Sequence, residues 1–242
     1  MKKLLAQFVF LMGLISVHHT SWSHDNPVTQ TTTVLLDNEE VTVNFNDGDT
    51  FKVLDGKHAR ARVRIGGFNA LEAYGPVHQF ANSSAEYLYQ TSKKATEMAR
   101  NGSWTCTLEK GKDSYGRLLA ICDDLAIDLI KHGLAHAYSV DENPATAEYL
   151  AAQETAQKAK KGMWKYGVPS FIITSLHSAD ENVSNTYNRL ISTQDGRSEK
   201  WFHNDNYETC EVVCVEEDSC MTYVPFGQRY GSARPECLMG TN

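Results

Sequence analysis

The chain has 242 residues and a mass of 27.1 kDa, and 23 Lys and Arg side chains against 30 Asp and Glu give it a formal net charge of −7. Hydrophobic residues make up 41% of the chain and charged residues 22%, which excludes a collagen-like, low-complexity or wholly disordered protein. The acidic balance excludes a protein that coats DNA by bulk positive charge. It leaves open an enzyme of nucleic acids whose positive charge is local.

The first residues have the three parts of a secretory signal: a basic start, an apolar run over residues 4–17, and small residues at Ser21-Trp22-Ser23. We therefore expect residues 1–23 to be a signal peptide, and the mature protein to be exported, either periplasmic or secreted. The apolar run is shorter than the about 20 residues that a helix needs to cross a bilayer. We expect no membrane span in the mature chain, which we take to be a monomer.

Strand patterns dominate residues 31–65, where apolar and polar residues alternate and Asn-Asp-Gly and Asp-Gly turns interrupt the alternation. In the last of these strands, Arg60, Arg62 and Arg64 fall on one face, opposite alanine, valine and isoleucine. Solvation explains Arg60 and Arg62, because exposed strand faces are commonly charged. Arg64 ends the row and begins the segment Arg64 to Glu72, which contains the polar residues Asn69 and Glu72. Arg64 is therefore a candidate for a functional role.

Helical patterns follow at residues 84–100, 125–132 and 144–161, and two further strands are predicted at 104–108 and 118–122. Their connections suggest antiparallel pairing. The sequence therefore predicts a mainly β, α+β fold: a small barrel with about three helices packed on it.

The character of the chain changes after Pro169. Residues 170–206 are polar without clear periodicity, which predicts a linker, and residues 207–242 form a cysteine-rich segment. In an exported protein, six cysteines favour disulfides over zinc. We expect a cross-strand bond between Cys106 and Cys122, with two buried thiols as the alternative. We expect two more bonds, with three possible connectivities, among the remaining cysteines: Cys210, Cys214, Cys220 and Cys237.

Five polar residues could act together on a phosphodiester. Asp49, Asn69 and Glu72 are hard oxygen donors of the kind that Ca²⁺ prefers. Arg64 and Arg117 can each grip a phosphate with two hydrogen bonds. A metal, a carboxylate and two arginines form a set that is suited to phosphodiester hydrolysis.

The motifs that carry these residues resemble, in the same order, those of the staphylococcal-type nucleases, or thermonucleases. They are Asp47-Gly48-Asp49-Thr50, Arg64 to Glu72, Tyr115-Gly116-Arg117, Gly133-Leu134-Ala135 and Gly162-Met163-Trp164. Ordered agreement of several motifs is more specific than any single one. The resemblance implies that residues 24–169 form an OB-like, five-stranded barrel with three helices. It also implies Ca²⁺-dependent endonuclease or exonuclease hydrolysis of DNA and RNA, leaving 3′-phosphate ends.

By motif position, the resemblance gives each candidate residue a role. The catalytic residues are Arg64, Glu72 and Arg117, the metal ligands are Asp49, Asn69 and Ala70, and the nucleotide-binding residues are Tyr115 and Tyr138. Stacking a base on a tyrosine ring tolerates any sequence, as a nuclease of broad specificity requires.

Four departures from the family pattern bear on activity. Asn69 replaces an aspartate and removes one negative charge, so we expect weaker Ca²⁺ binding. Ala70 replaces a threonine, Leu71 a proline, and Ser114 a lysine that is often found beside the tyrosine. The alternative function is therefore a catalytically weakened OB-fold module that binds nucleic acid or protein.

Overall fold

A computed structural model of the protein describes residues 30–73, 77–140, 143–181, 186–215, 219–229 and 234–238. The expected signal peptide lies outside these residues. The strands, in chain order, are β1 Thr32–Leu36, β2 Glu39–Asp47, β3 Thr50–Val53, β4 Arg62–Ile65, β5 Phe68–Ala70, β6 His78–Phe80, β7 Trp104–Lys112, β8 Leu118–Ile121, β9 Ala135–Ala137, β10 Phe171–Ser175, β11 Tyr187–Ser192, β12 Ser198–Phe202, β13 Val212–Val215 and β14 Ser219–Thr222. The helices are α1 Ala85–Asn101, α2 Asp123–Lys131 and α3 Ala147–Lys158.

A closed barrel of six strands forms the centre of the described part of the chain, in the order β1-β2-β3-β4-β8-β7. The expected barrel is confirmed, with six strands in place of five. Not every pairing is antiparallel: β1 runs parallel to β7, and β4 parallel to β8. These two pairings join distant parts of the chain, so the local turn signals could not reveal them.

Strand alternation fills the barrel. Val41, Val43 and Phe45 of β2 are at most 3% exposed, and their polar neighbours face outward. The Phe45 ring packs against Phe51 of β3 with 5.3 Å between ring centroids. In the preceding β3–β4 connection, Arg60 has a positive φ of 74° and lies outside β4, so the expected row of three arginines is reduced to Arg62 and Arg64.

The helices cover the barrel. Ser84 caps α1, since its hydroxyl accepts a hydrogen bond from the Tyr87 backbone N–H at 3.2 Å. At the other end of α1, the Arg100 guanidinium donates to the Phe45 carbonyl oxygen at 2.7 Å and 3.0 Å. This contact fixes α1 against β2.

Two glycines, Gly133 and Gly162, let the chain segments after α2 and α3 touch. The Met163 backbone N–H donates to the Gly133 carbonyl at 2.8 Å, and Gly133 has a positive φ of 65°. A Cβ atom on Gly133 would lie 2.2 Å from the Lys161 carbonyl oxygen. Only glycine fits this crossing.

The structure differs from the expected linker at residues 170–206. Strands β10, β11 and β12 form a three-stranded sheet there, and β13 and β14 form a second sheet with β6 of the barrel domain. Ile172 of β10 is fully buried and belongs to the same apolar cluster as Leu71 and Trp164. The C-terminal part is therefore packed on the barrel domain and hydrogen-bonded to it.

All six cysteines are paired, and the hairpin prediction of a Cys106–Cys122 bond agrees with the structure. Of the three connectivities left open for the tail, the structure has Cys210–Cys237 and Cys214–Cys220. Among the described residues, no helix is long and apolar enough to span a membrane.

Loss of the Cys106–Cys122 bond is expected to lower the free energy of unfolding by about 3 kcal/mol, because the bond closes a loop whose ends are 16 residues apart. Urea unfolding of the double variant Cys106→Ala, Cys122→Ala measures this loss. The matched variant Cys214→Ala, Cys220→Ala opens a loop of sequence separation 6 and should lose about 2 kcal/mol. A larger loss in the second variant would contradict the loop-closure explanation.

Candidate active site

The site forms where the acidic turn after β2 meets β4 and β5. Asp49 ends that turn and is only 3% exposed. Its carboxylate forms an ion pair with the guanidinium of Arg64, whose side chain is 18% exposed. Antiparallel pairing of Thr50 with Arg64 puts these neighbours side by side. Strand register thus joins two residues that belong to different sequence motifs.

Further hydrogen bonds fix the Asp49 carboxylate. Its Oδ2 accepts from the Ala70 backbone N–H at 2.8 Å, and its Oδ1 accepts from the Thr50 hydroxyl at 3.1 Å. The Asp49 backbone carbonyl accepts from the Ile65 N–H at 2.9 Å. Asp49 therefore ties the acidic turn to both β4 and β5.

Asn69 is held from both ends of its amide. Its Oδ1 accepts from Arg64 Nη2 at 2.7 Å, and its Nδ2 donates to the Ala70 carbonyl at 2.9 Å. Its Nδ2 also lies 3.4 Å from Nε2 of His136. Nδ1 of that ring lies 3.1 Å from the Ala137 carbonyl, which assigns the proton to Nδ1 and leaves Nε2 as an acceptor. A carboxylate at position 69 would face these acceptors with no proton to donate.

Three carboxylates lie close enough to influence one another. Burial, followed by the charges of Asp49 and Glu72, raises the pKa of Asp47 well above its usual range, against the opposing charge of Arg64. Burial and the charge of Asp49 also raise the pKa of Glu72. Three arginines oppose that rise: in decreasing order of effect, Arg229, Arg64 and Arg117. Glu72 is therefore the carboxyl group on which the charges of the site converge.

Arg117 is positioned by its own loop. Its Nε lies 2.6 Å from Asp113 Oδ2, and its backbone N–H donates to Asp113 Oδ1 at 2.9 Å. Burial raises the pKa of Asp113, but the hydrogen bonds from the Arg117 backbone and guanidinium outweigh it, so the pKa lies below its usual range. Asp113 is thus an anion that holds Arg117 in place.

The two candidate tyrosines differ in setting. Tyr115 is 61% exposed, and its ring centroid lies 5.5 Å from Arg117 Cζ. The Arg62 guanidinium donates to the Tyr115 carbonyl at 3.4 Å, which gives this solvated arginine a supporting role in the loop. Tyr138 is half-buried, and its N–H donates to the Gly67 carbonyl at 2.9 Å, in the loop that follows Arg64.

The ligands predicted for calcium have oxygen donors of the right chemistry, and in the structure these oxygens bond to other groups of the protein. Asp49 is bonded to Arg64, the Asn69 carbonyl accepts from Arg64, and the Ala70 carbonyl accepts from the Asn69 amide. Across the parts of the chain described, no group of three or more His, Cys, Asp or Glu side chains is arranged to hold a metal ion. Arg64 supplies the positive charge that balances Asp49.

Comparison with known families agrees with this geometry. Residues 62–166 match the model of the family described as staphylococcal nuclease homologue. Over this part, which is less than half of its length, the chain is similar to that family. The similarity supports a nuclease-like or nucleic-acid-binding module. No match was found among curated proteins.

The structure adds residues to the candidate site that the motifs did not single out. Asp47 belongs to the Asp-Gly-Asp turn, and Asp113 precedes Tyr115 by two residues, so both lay beside recognised motifs. His136 lines the site beneath Asn69. Arg229 belongs to none of the sequence motifs. Arg229 lies in the C-terminal part of the chain, and no sequence signal links it to Glu72.

Below the site lie two buried histidines. Burial lowers the pKa of His136 to about 4. Burial and the neighbouring charge of His136 lower the pKa of His78 to about 3. His78 is 3% exposed, and neither of its ring nitrogens has a hydrogen-bond partner among the described residues. A proton on His78 would therefore be a buried, uncompensated charge.

His78 should make the fold sensitive to acid. The unfolded chain binds a proton there near pH 6.5 and the folded chain only near pH 3, so stability falls as the pH drops through this window. At pH 5 the loss from this residue is expected to be about 2 kcal/mol relative to pH 7.5. Urea unfolding at both pH values should show that His78→Leu removes this part of the dependence.

The matched control is His132→Leu, because His132 is exposed. It should keep the pH dependence of the wild type. Identical pH dependence in wild type and His78→Leu would contradict the assignment.

Proposed function

We propose that the protein is an exported nuclease that hydrolyses phosphodiester bonds of DNA and RNA. The observation that carries this proposal is that Arg64 of β4 and Arg117 of the loop before β8, which belong to separate motifs, both lower the pKa of the Glu72 carboxyl group through their charge. Two fixed cations around one carboxyl group suit a substrate that is itself an anion and gains charge in its transition state.

The arginines bind the scissile phosphate in this proposal. Each guanidinium can donate two parallel hydrogen bonds to phosphate oxygens and cannot lose its proton at neutral pH. Asp113 keeps Arg117 oriented at 2.6 Å, so little side-chain entropy is lost when the substrate arrives. Arg64 must exchange part of its bonding with Asp49 and Asn69 for the phosphate.

Glu72 acts on the attacking water. Burial and the charge of Asp49 raise its pKa, which moves it toward the range in which a carboxylate is an effective general base. Water attacks phosphorus as Glu72 accepts its proton. The bond from phosphorus to the 5′ oxygen breaks, that oxygen takes up a proton from a solvent water molecule, and the phosphate stays on the 3′ side.

Calcium remains part of the proposal as the cofactor. The carboxylates of Asp47, Asp49 and Glu72 are the donors that would hold it, together with the carbonyl groups of Asn69 and Ala70. A bound divalent cation would neutralise phosphoryl charge. Since Asn69 contributes no charge, we propose that the affinity for Ca²⁺ is lower than that of a site with aspartate there.

A module that binds nucleic acid without cutting it is the second candidate. The observation that favours it is the engagement of Asn69 and Ala70 in hydrogen bonds with the protein itself. The cationic and aromatic groups of the site would still bind a nucleotide in that case. Binding without cleavage in the presence of any divalent ion would support it.

Export rests on the basic and apolar residues at 1–17 of the sequence, and three disulfides are consistent with an oxidising compartment. We propose that the protein is periplasmic or secreted. We propose that the protein is a monomer.

Replacing Glu72 by Gln should lower kcat on denatured DNA about 100-fold to 10,000-fold, because glutamine cannot accept the proton from water. Arg117→Ala should lower it about 100-fold or more, since one cation on the transition state is lost. The measurement is release of acid-soluble nucleotides in Ca²⁺ and in chelator. The exposed pair Glu154 and Lys158 on α3 supplies the controls, Glu154→Gln and Lys158→Ala, which should leave kcat unchanged. Equal activity in all variants would refute the site.

Replacing Asn69 by Asp should raise the affinity for Ca²⁺ about tenfold by calorimetry, because it adds a negative charge. In chelator the same variant should be less stable by about 1–3 kcal/mol, because it removes the donors to the Ala70 carbonyl and to His136. Thermal unfolding with and without Ca²⁺ measures both effects. Unchanged affinity and unchanged stability would show that Asn69 has neither role.

A further inference from the structure

One face of the sheet formed by β10, β11 and β12 carries two aromatic rings and two cations. Tyr187 pairs with Phe202 across β11 and β12, and Arg189 pairs with Lys200. Residues two apart on a strand share a face, so all four side chains project on the same side. We call Tyr187, Arg189, Lys200 and Phe202 the aromatic–cationic face.

The rings and cations of this face touch one another. The Tyr187 and Phe202 ring centroids are 5.9 Å apart, and the Tyr187 ring lies 4.8 Å from Lys200 Nζ and 5.7 Å from Arg189 Cζ. Phe202 is 60% exposed. A large exposed ring beside two cations is an unusual surface for a segment with no binding role.

The cations of the face are available to an anion. Arg189 donates to the hydroxyl groups of Ser198 at 2.7 Å and Tyr187 at 3.3 Å, which fixes its orientation without neutralising it. None of the described carboxylates lies within ion-pair distance of Arg189, Lys200 or Arg229. Segment 170–242 holds 11 acidic residues against 5 basic ones, so this local positive charge stands against its overall charge.

The sheet that carries the face is joined to the barrel domain, close to the candidate site, at the hairpin turn between β11 and β12. The Ser139 N–H, next to the candidate nucleotide-binding residue Tyr138, donates to the Gly196 carbonyl in that turn at 2.7 Å. The same side of the sheet, at Ile172, packs in one cluster with Leu71, the neighbour of Glu72. The sheet is thus fixed next to the candidate site, and the face lies farther along β11 and β12.

Arg229 lies between the face and the site. Its Nε donates to the Val224 carbonyl at 2.8 Å, which orients the side chain at the end of a 3₁₀ turn. Pairing of β14 with β6, and the Thr222 N–H to Val77 carbonyl bond of 3.0 Å, holds this segment beside the loop that follows Glu72. The charge of Arg229 acts both on Glu72 and on His177, whose ring centroid lies 5.5 Å from that of Tyr187.

We propose that the aromatic–cationic face, with Arg229, binds the single-stranded nucleic acid that extends beyond the nuclease site. The inference rests on the proposed function and adds to it a second binding surface, on the C-terminal sheet outside the barrel. Exposed rings stack on unpaired bases, which a duplex hides, and neighbouring cations bind the phosphates between them. From Lys200 to Phe202 the face extends about 7 Å along β12 at about 3.3 Å per residue, which is room for one or two nucleotides.

The test measures binding in chelator, where cleavage plays no part. Fluorescence anisotropy is recorded with a single-stranded DNA probe of roughly 20 nucleotides, longer than the about 4–16 that an OB fold covers, and with a dinucleotide. The double variant Lys200→Ala, Phe202→Ala should bind the long probe about tenfold more weakly or worse, and the salt slope should fall by about 0.7. Arg229→Ala should weaken binding of the long probe in the same direction.

The matched controls are Trp201→Ala, whose side chain lies on the opposite face of β12, and Lys158→Ala on α3; both should bind the long probe as the wild type does. An equal affinity of the double variant and the wild type for the long probe overturns the proposal, as does tighter binding of a duplex of the same length. Thermal unfolding of each variant separates lost contacts from lost structure. Failure of the proposed function appears separately, as absence of cleavage with a face that still binds.

Discussion

The positive charge of Arg64 is the interaction on which the arrangement of the site depends. Its guanidinium bonds the carboxylate of Asp49 and the side-chain oxygen of Asn69, and it opposes the mutual repulsion of the buried carboxylates nearby. A charge that is largely withdrawn from water must be compensated by partners with good geometry. Strand register provides that geometry, because β3 and β4 place Thr50 opposite Arg64. The polar side chains in this part of the barrel are therefore already bonded to one another. A substrate must compete with Asp49 and Asn69 for Arg64.

The local patterns of the sequence predicted the helices, most barrel strands and the residues near Arg64, because motif order and alternation are read within short windows. Strands β10 to β12 escaped because β12 is exposed along almost its whole length and β11 mixes buried polar Asn188 with apolar neighbours, so neither alternates cleanly. The parallel pairings of the barrel and the approach of Arg229 to Glu72 arise only in three dimensions. Patterns within short stretches of the sequence do not indicate such long-range contacts.

Net charge gives little guidance to where this molecule could meet an anion. Residues 24–169 hold 16 basic and 19 acidic side chains, and the remaining segment is more acidic still. Some acidic side chains of the barrel domain form ion pairs with its own basic side chains, as Asp113 does with Arg117. In the described part of the C-terminal segment, Arg189, Lys200 and Arg229 form no ion pair with a carboxylate. Recognition of a polyanion would then depend on a narrow track, with repulsion from the rest of the surface limiting non-specific adsorption.

The pairing of β14 with β6 also sets the smallest piece of this protein that can be shortened or transplanted. Residues 62–166 alone would lack Phe45 and Phe51 from the barrel core, leave the hydrogen-bonding edge of β6 open, and strip the cover from Leu71. An open edge next to an uncovered apolar cluster promotes aggregation. The part of the chain that must stay together is thus larger than residues 62–166, the part that matches the family. Transferring this barrel into another protein would require transferring the C-terminal sheets with it.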